Sequence, residues 1–112
     1  MPVETVNALL VIADIGDLEQ LHAELRRMAV RLGEHLVKTG QAGRTITTKV
    51  RYPDFSIRSR SSTLAGGLDD GAAIGEIACA LLDRALADRP APLRLVGVGV
   101  SNIEPFRQLA LS

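Results

Sequence analysis

A chain of 112 residues with 46 % hydrophobic and 23 % charged side chains is sized for one globular domain with a two-layer core, away from disordered compositions. It has no run of about 18 apolar residues, and no basic stretch leads into an apolar one at its start, which argues against a membrane span and a signal peptide. The formal charge is zero, yet residues 41–62 hold five basic side chains against one acid, while the rest holds eight against twelve, a placement that can draw a polyanion to one face.

Residues 6–13, VNALLVIA, are an apolar run of strand length, bounded by Asp14, Gly16 and Asp17. Only one of its two alternating sets can face a helical layer, so an apolar strip remains on the other face, with Leu9 and Val11 near Leu95. That strip predicts weak self-association or contact with another domain. The pattern then changes to helical spacing. Asp17 is placed to cap, with Gln20 as the other half of a capping box, and Leu18, Leu21, Leu25, Met28, Ala29, Leu32 and Leu36 form one stripe. Lys38 complements the helix dipole, and Gly40 supplies the stop.

The segment GRTITTKVRYPDFSIRSRSSTL alternates strictly and is rich in β-branched residues, which predicts two strands joined by a Pro-Asp turn at YPDF. Pairing Arg51 with Ser56 sets Lys49 opposite Arg58, Thr47 opposite Arg60 and Thr45 opposite Ser62. All eight then share one face, with Ile46, Thr48, Val50 and Ile57 on the other. Cations facing cations weaken a free hairpin, and hydroxyls interleaved with guanidinium groups suit phosphate oxygens. The competing reading is a solvated basic edge that discourages aggregation.

AGGLDDGA reads as a loop ending in a cap at Asp69 or Asp70. Ile74, Ile77, Ala78, Leu81, Leu82, Ala85 and Leu86 mark a second amphipathic helix, which Pro90 and Pro92 end. Cys79 lies beside that stripe as a core residue. As the single cysteine it allows no internal disulfide or Cys-rich metal site, which suits a reducing cytoplasm. LRLVGVGVSN reads as a last strand and IEPFRQLALS as a tail, which divides the chain into a domain at 1–104 and a tail at 105–112. The order β-α-β-β-α-β predicts an α+β fold: a four-stranded antiparallel sheet, two helices on one face, in the ferredoxin-like split β-α-β arrangement, with the other face open.

An RNA-recognition motif shares this order but needs aromatic residues mid-strand. Here Tyr52 and Phe55 fall at the turn and Phe106 in the tail, so gripping the backbone is favoured over stacking bases. The GVGVS run at 97–101 lies within a strand pattern with no helix after it, so it is read as strand and not as a nucleotide loop. His22 and His35 lack metal-ligand spacing and are read as solvated. Asp69 and Asp70 are read as a cap and not a metal pair.

The hairpin ending RSRSSTL, the helix DLEQLHAELRRMAVRLGEHL and the strand RLVGVGVSNIE together resemble the little finger, the C-terminal DNA-binding domain of Y-family translesion polymerases of the DNA polymerase IV type, over residues 14–104. The resemblance implies a domain without catalytic residues, since the family's catalytic carboxylates sit in the palm, where the parent enzyme would use magnesium and deoxynucleoside triphosphates. It implies non-sequence-specific gripping of duplex primer-template DNA, with Lys49, Arg51, Arg58 and Arg60 on the phosphates and Thr47, Ser62 and Arg94 as secondary contacts. The chain departs from the family in its first strand, where Ala8, Leu10 and Val11 stand in place of Glu, Thr and Phe. The tail residues Gln108, Leu109 and Leu111 resemble the peptide with which such polymerases dock on the sliding clamp, with Ser112 in place of the final aromatic. Two other readings stay open: a ferredoxin-like dimerising or small-molecule-sensing domain, and a pure interaction module.

Overall fold

The computed structural model describes residues 5–15 and 17–105. Six elements follow one another: β1 Thr5–Ile15, α1 Leu18–Thr39, β2 Gln41–Arg51, β3 Ile57–Leu68, α2 Gly71–Asp88 and β4 Leu93–Pro105.

Local chemistry sets the helix limits. Asp17 accepts a bond from the Glu19 N–H at 3.0 Å, so the cap closes on Glu19 and not through Gln20. Asp70 caps α2 by accepting from the Ala72 and Ala73 N–H groups at 3.0 and 3.4 Å. Gly40 ends α1 at φ 67°, a left-handed conformation that glycine adopts without steric cost, and its N–H donates back to the Leu36 and Val37 carbonyls.

The two stripes bury Leu21, Leu25, Leu32 and Leu36 from α1 and Ile74, Leu81 and Leu82 from α2 against Ile46, Val50, Val96, Val98 and Val100 of the sheet. Each such side chain contributes about 1.5–3 kcal/mol on leaving water. Leu18, expected in the stripe, is 44 % exposed because it sits on the first turn, ahead of the packed face. Thr48 is fully buried in this layer, where its hydroxyl donates to the Ala78 carbonyl at 2.9 Å. Cys79 is buried as expected, and burial pushes its thiol pKa up. His22, read as solvated, instead binds Asp83 of α2 through Nε2 at 2.7 Å. Among the described residues no helix is long and apolar enough to cross a membrane, and no group of three or more His, Cys, Asp and Glu is placed to hold a metal.

The strands lie in the order β1-β4-β2-β3, antiparallel throughout. A ferredoxin-like sheet would put β1 and β3 in the middle, whereas here β4 and β2 fill it. The expectation rested on the order of elements along the chain, which does not fix their order across a sheet. The start of the expected loop and the start of the expected tail are also strand. A shift between Gly43 and Thr45 lets Gly43 pair with Leu68, which carries β3 through AGGL. Residues 103–105 pair with Gly43, Ala42 and Gln41, which carries β4 beyond Asn102. In β1 the register sets Leu9 against Gly97 and Val11 against Leu95. Apart from Asn7, which is exposed, its side chains lie outside what is described, so the predicted apolar strip does too.

Candidate nucleic-acid interface

The hairpin turn decides which side chains meet solvent. Phe55 N–H donates to the Tyr52 carbonyl at 2.8 Å, and Tyr52 N–H to the Ser56 carbonyl at 2.9 Å. Phe55 takes φ 71°. This is a three-residue loop, Pro53-Asp54-Phe55, whose third residue is left-handed. Tyr52 therefore pairs with Ser56, and the ladder continues as Arg51 with Ile57, Lys49 with Ser59, Thr47 with Ser61 and Thr45 with Thr63.

The expected pairing of Arg51 with Ser56 is displaced by one residue, and such a slip moves a whole strand's side chains to the opposite face. Thr45, Thr47, Lys49 and Arg51 do share the face away from the helices. Arg58, Arg60 and Ser62 do not: they stand opposite Val50, Thr48 and Ile46, on the helix side of the sheet's edge. Ser56 belongs to the turn, its hydroxyl bonded to Asp54 and Arg89. The observed register avoids the opposed cations that the other would create, which removes the argument drawn from their repulsion.

What replaces them on the open face is a set of hydroxyls. Thr45 bonds Thr63 at 2.9 Å and Thr47 bonds Ser61 at 2.7 Å, while the Asn102 side-chain amide donates to the Thr45 hydroxyl at 2.6 Å. Ser59 is exposed beside Lys49. On the other side of β2, Gly99 and Gly97 of β4 pair with Thr47 and Lys49, so no side chain rises there and the centre of the face is low. Lys49 is exposed. Arg51 is half-buried, and its Nε is buried without a hydrogen-bond partner among the described residues.

The remaining charges are mostly committed. Arg60 pairs with Asp88 of α2, and Arg44 Nε donates to the Leu64 carbonyl at 3.2 Å. Arg94 lies over the Phe55 ring, 5.1 Å from its centre. Arg58 is exposed along β3. The one acid of the segment, Asp54, accepts from the Ser56 hydroxyl at 2.6 Å and N–H at 3.0 Å and faces Arg89 at 3.2 Å. The Ser56 hydroxyl, its N–H and Arg89 hold that carboxyl at about 2, below its ordinary 3.8.

Two features escaped the sequence reading. Tyr52, assigned to the turn, is 1 % exposed and part of the core. Arg89, which drew no attention just beyond α2, binds the hairpin. Its spacing from residues 52–56 carries no local signal, and the lone hint was a cation directly before Pro90.

The C-terminal domain pattern of the impB/mucB/samB family matches residues 11–112. The chain belongs to that family, as the little-finger domain of Y-family polymerases of the DNA polymerase IV type. It is 43 % identical over 95 residues to a DNA polymerase IV of Streptomyces coelicolor, covering 85 % of this chain and 19 % of the relative. It is 38 % identical over 90 residues to DNA polymerase IV 2 of Agrobacterium fabrum, covering 80 % and 25 %. The chain thus spans a quarter or less of the length of these relatives. Among solved structures, an insertion ternary complex of Dbh DNA polymerase superposes with TM-score 0.76 at 20 % identity, over 89 % of this chain and 28 % of that one. A little finger domain of PolIV, solved in complex with a beta-clamp processivity factor, superposes with TM-score 0.72 at 22 % identity, over 97 % and 99 %.

Proposed function

We propose that the open face of the sheet grips the sugar–phosphate backbone of duplex DNA without reading its sequence, as the little finger of a polymerase that copies past damaged template. The observation that carries this reading is the pair Lys49 and Arg51, at successive outward positions of β2 beside the hydroxyls of Ser59, Ser61 and Thr63. Hydroxyls and cations in alternation are phosphate chemistry. Arg51 Nε, buried and unpartnered within the described residues, is a donor in want of an acceptor. Among the described residues of β2 and β3 no carboxylate opposes them. Arg58 extends the grip along the edge, and Arg60, tied to Asp88, does not belong to it. Catalysis, with its magnesium and deoxynucleoside triphosphates, falls to the rest of a longer polymerase of the relatives' kind.

The test is a titration of duplex DNA across salt. Three phosphate contacts give a log–log slope of about −2.7, and Lys49→Ala with Arg51→Ala brings it to about −0.9. An unchanged slope in the double variant would remove the open face from the reading.

A second contact is proposed for the tail, because one solved little finger of nearly equal length is bound to a beta-clamp. Gln108, Leu109 and Leu111 lie outside the described residues. Their chemistry, one amide at a rim and two apolar side chains, suits a shallow apolar groove on such a clamp.

A further inference from the structure

The C-terminal end of α2 holds the hairpin by two consecutive residues of opposite charge. Asp88, the last helical residue, pairs with Arg60 of β3. Arg89, the cap, donates its N–H to the Ala85 carbonyl of α2 at 3.1 Å and engages the turn with its carbonyl and its side chain. Its carbonyl accepts from the Tyr52 hydroxyl at 2.6 Å. Its guanidinium lies 3.9 Å from the centre of the Tyr52 ring, donates to the Ser56 hydroxyl at 2.6 Å and faces Asp54 at 3.2 Å.

Phe55 shows why the turn needs holding. A bulky residue at φ 71° is strained and persists where its surroundings fix it. The same turn sets the register, and the register sets which face each side chain of β3 occupies. The Arg89–Asp54 ion pair is open to solvent on the Asp54 side and half-buried on the Arg89 side, and by itself it contributes little. The hold is geometric: a planar fork on Ser56 and Asp54, a ring beneath it, and a tyrosine anchored from the core.

We infer that Arg89 is a positioning residue for DNA binding: it clamps the Tyr52–Ser56 turn and so fixes the register that arrays Lys49 and Arg51 beside the hydroxyls of β3. This rests on the open face being the DNA face. Arg89 thereby acts on phosphate through other residues, from a helix end behind the sheet.

The experiment compares Arg89→Ala, Lys49→Ala/Arg51→Ala and the triple variant for duplex affinity at fixed salt, with amide exchange at Tyr52 and Phe55 as a second readout. Arg89→Ala is expected to speed exchange at both amides and weaken binding by about threefold to tenfold, and to add nothing in the Lys49→Ala/Arg51→Ala background, because coupled residues are not additive. Additive losses would mean that Arg89 touches DNA itself and would overturn the inference. So would wild-type affinity in Arg89→Ala alongside weak binding in the double variant. Wild-type affinity in Lys49→Ala/Arg51→Ala would instead reject the DNA face. If Arg89→Ala does not fold, Arg89→Lys, which keeps the charge but loses the fork, carries the comparison: intermediate affinity supports positioning, and wild-type affinity overturns it.

Discussion

Gly33 of α1 and Gly71 of α2 meet backbone to backbone. A β carbon on Gly33 would stand 2.5 Å from the Gly71 nitrogen, and one on Gly71 would stand 2.7 Å from the Val30 α carbon. The obstacles are main-chain atoms, which cannot swing aside. The two helices therefore approach this closely because neither residue carries a side chain.

Gly33→Ala tests that contact. Alanine gains about 1 kcal/mol of helix propensity over glycine, but overpacking a fitted contact costs about 1–3 kcal/mol. With backbone as the obstacle the upper part of that range applies, so net destabilisation is expected, read as a lower denaturant midpoint. A variant as stable as the parent would show that the helices can separate at no cost.

Asp54 offers a pH test. Its folded carboxyl titrates at about 2 against an ordinary 3.8, so it stabilises the fold above pH 4, and that contribution is lost as pH falls through about 2. An NMR titration should show Asp54 with that low midpoint, and Ser56→Ala should raise it, since the Ser56 hydroxyl is the largest cause. An unmoved midpoint would assign the shift to other groups.

Arg58 and Arg60, two residues apart on one strand, should behave differently. Arg58 is exposed, and Arg58→Ala should flatten the salt slope of DNA binding by about 0.9. Arg60 is engaged by Asp88, so Arg60→Ala should leave that slope unchanged and lower stability by about 0.2–1 kcal/mol. Equal effects on the slope would show that the Asp88 pair opens when DNA binds.

For the tail, removing residues 107–112 or replacing Leu111→Ala should weaken binding to a bacterial sliding clamp, and Ser112→Phe should strengthen it. An aromatic ring buries more apolar surface than serine, at about 25 cal/mol per Å². Equal binding by all forms would leave the tail without a docking role.

The helices were legible because their signals are local: Asp17, Asp70 and Gly40 each cap with atoms a few residues away. The Pro-Asp turn and the basic hairpin were legible for the same reason. The face of Lys49 and Arg51 was legible from alternation along β2; the face of Arg58 and Arg60 was not, because it hangs on one backbone angle at Phe55, a residue type that seldom adopts it. The same limit hid Arg89, which reaches Ser56 across 33 residues of sequence. Opposed hydroxyls, Thr45 with Thr63 and Thr47 with Ser61, were the available clue to the right register. The order of the strands is a matter of long-range pairing, which no short pattern records.

That order also sets a schedule for assembly. β4 follows the other five elements in the chain yet lies between β1 and β2. Until residues 93–105 leave the ribosome, β1 has no strand beside it, β2 has only β3, and the helix stripes have half a floor to cover. The β2–β3 hairpin and the two helices can form from near neighbours, whereas joining β1 to them means closing a loop of up to 96 residues, the span from Thr5 to Ser101. Contacts so distant in sequence form slowly. A nascent chain halted before β4 would thus leave the apolar face of α1, which packs chiefly on β1 and β4, without most of its floor, while α2 could already lie on β2 and β3; apolar surface exposed in that interval favours aggregation.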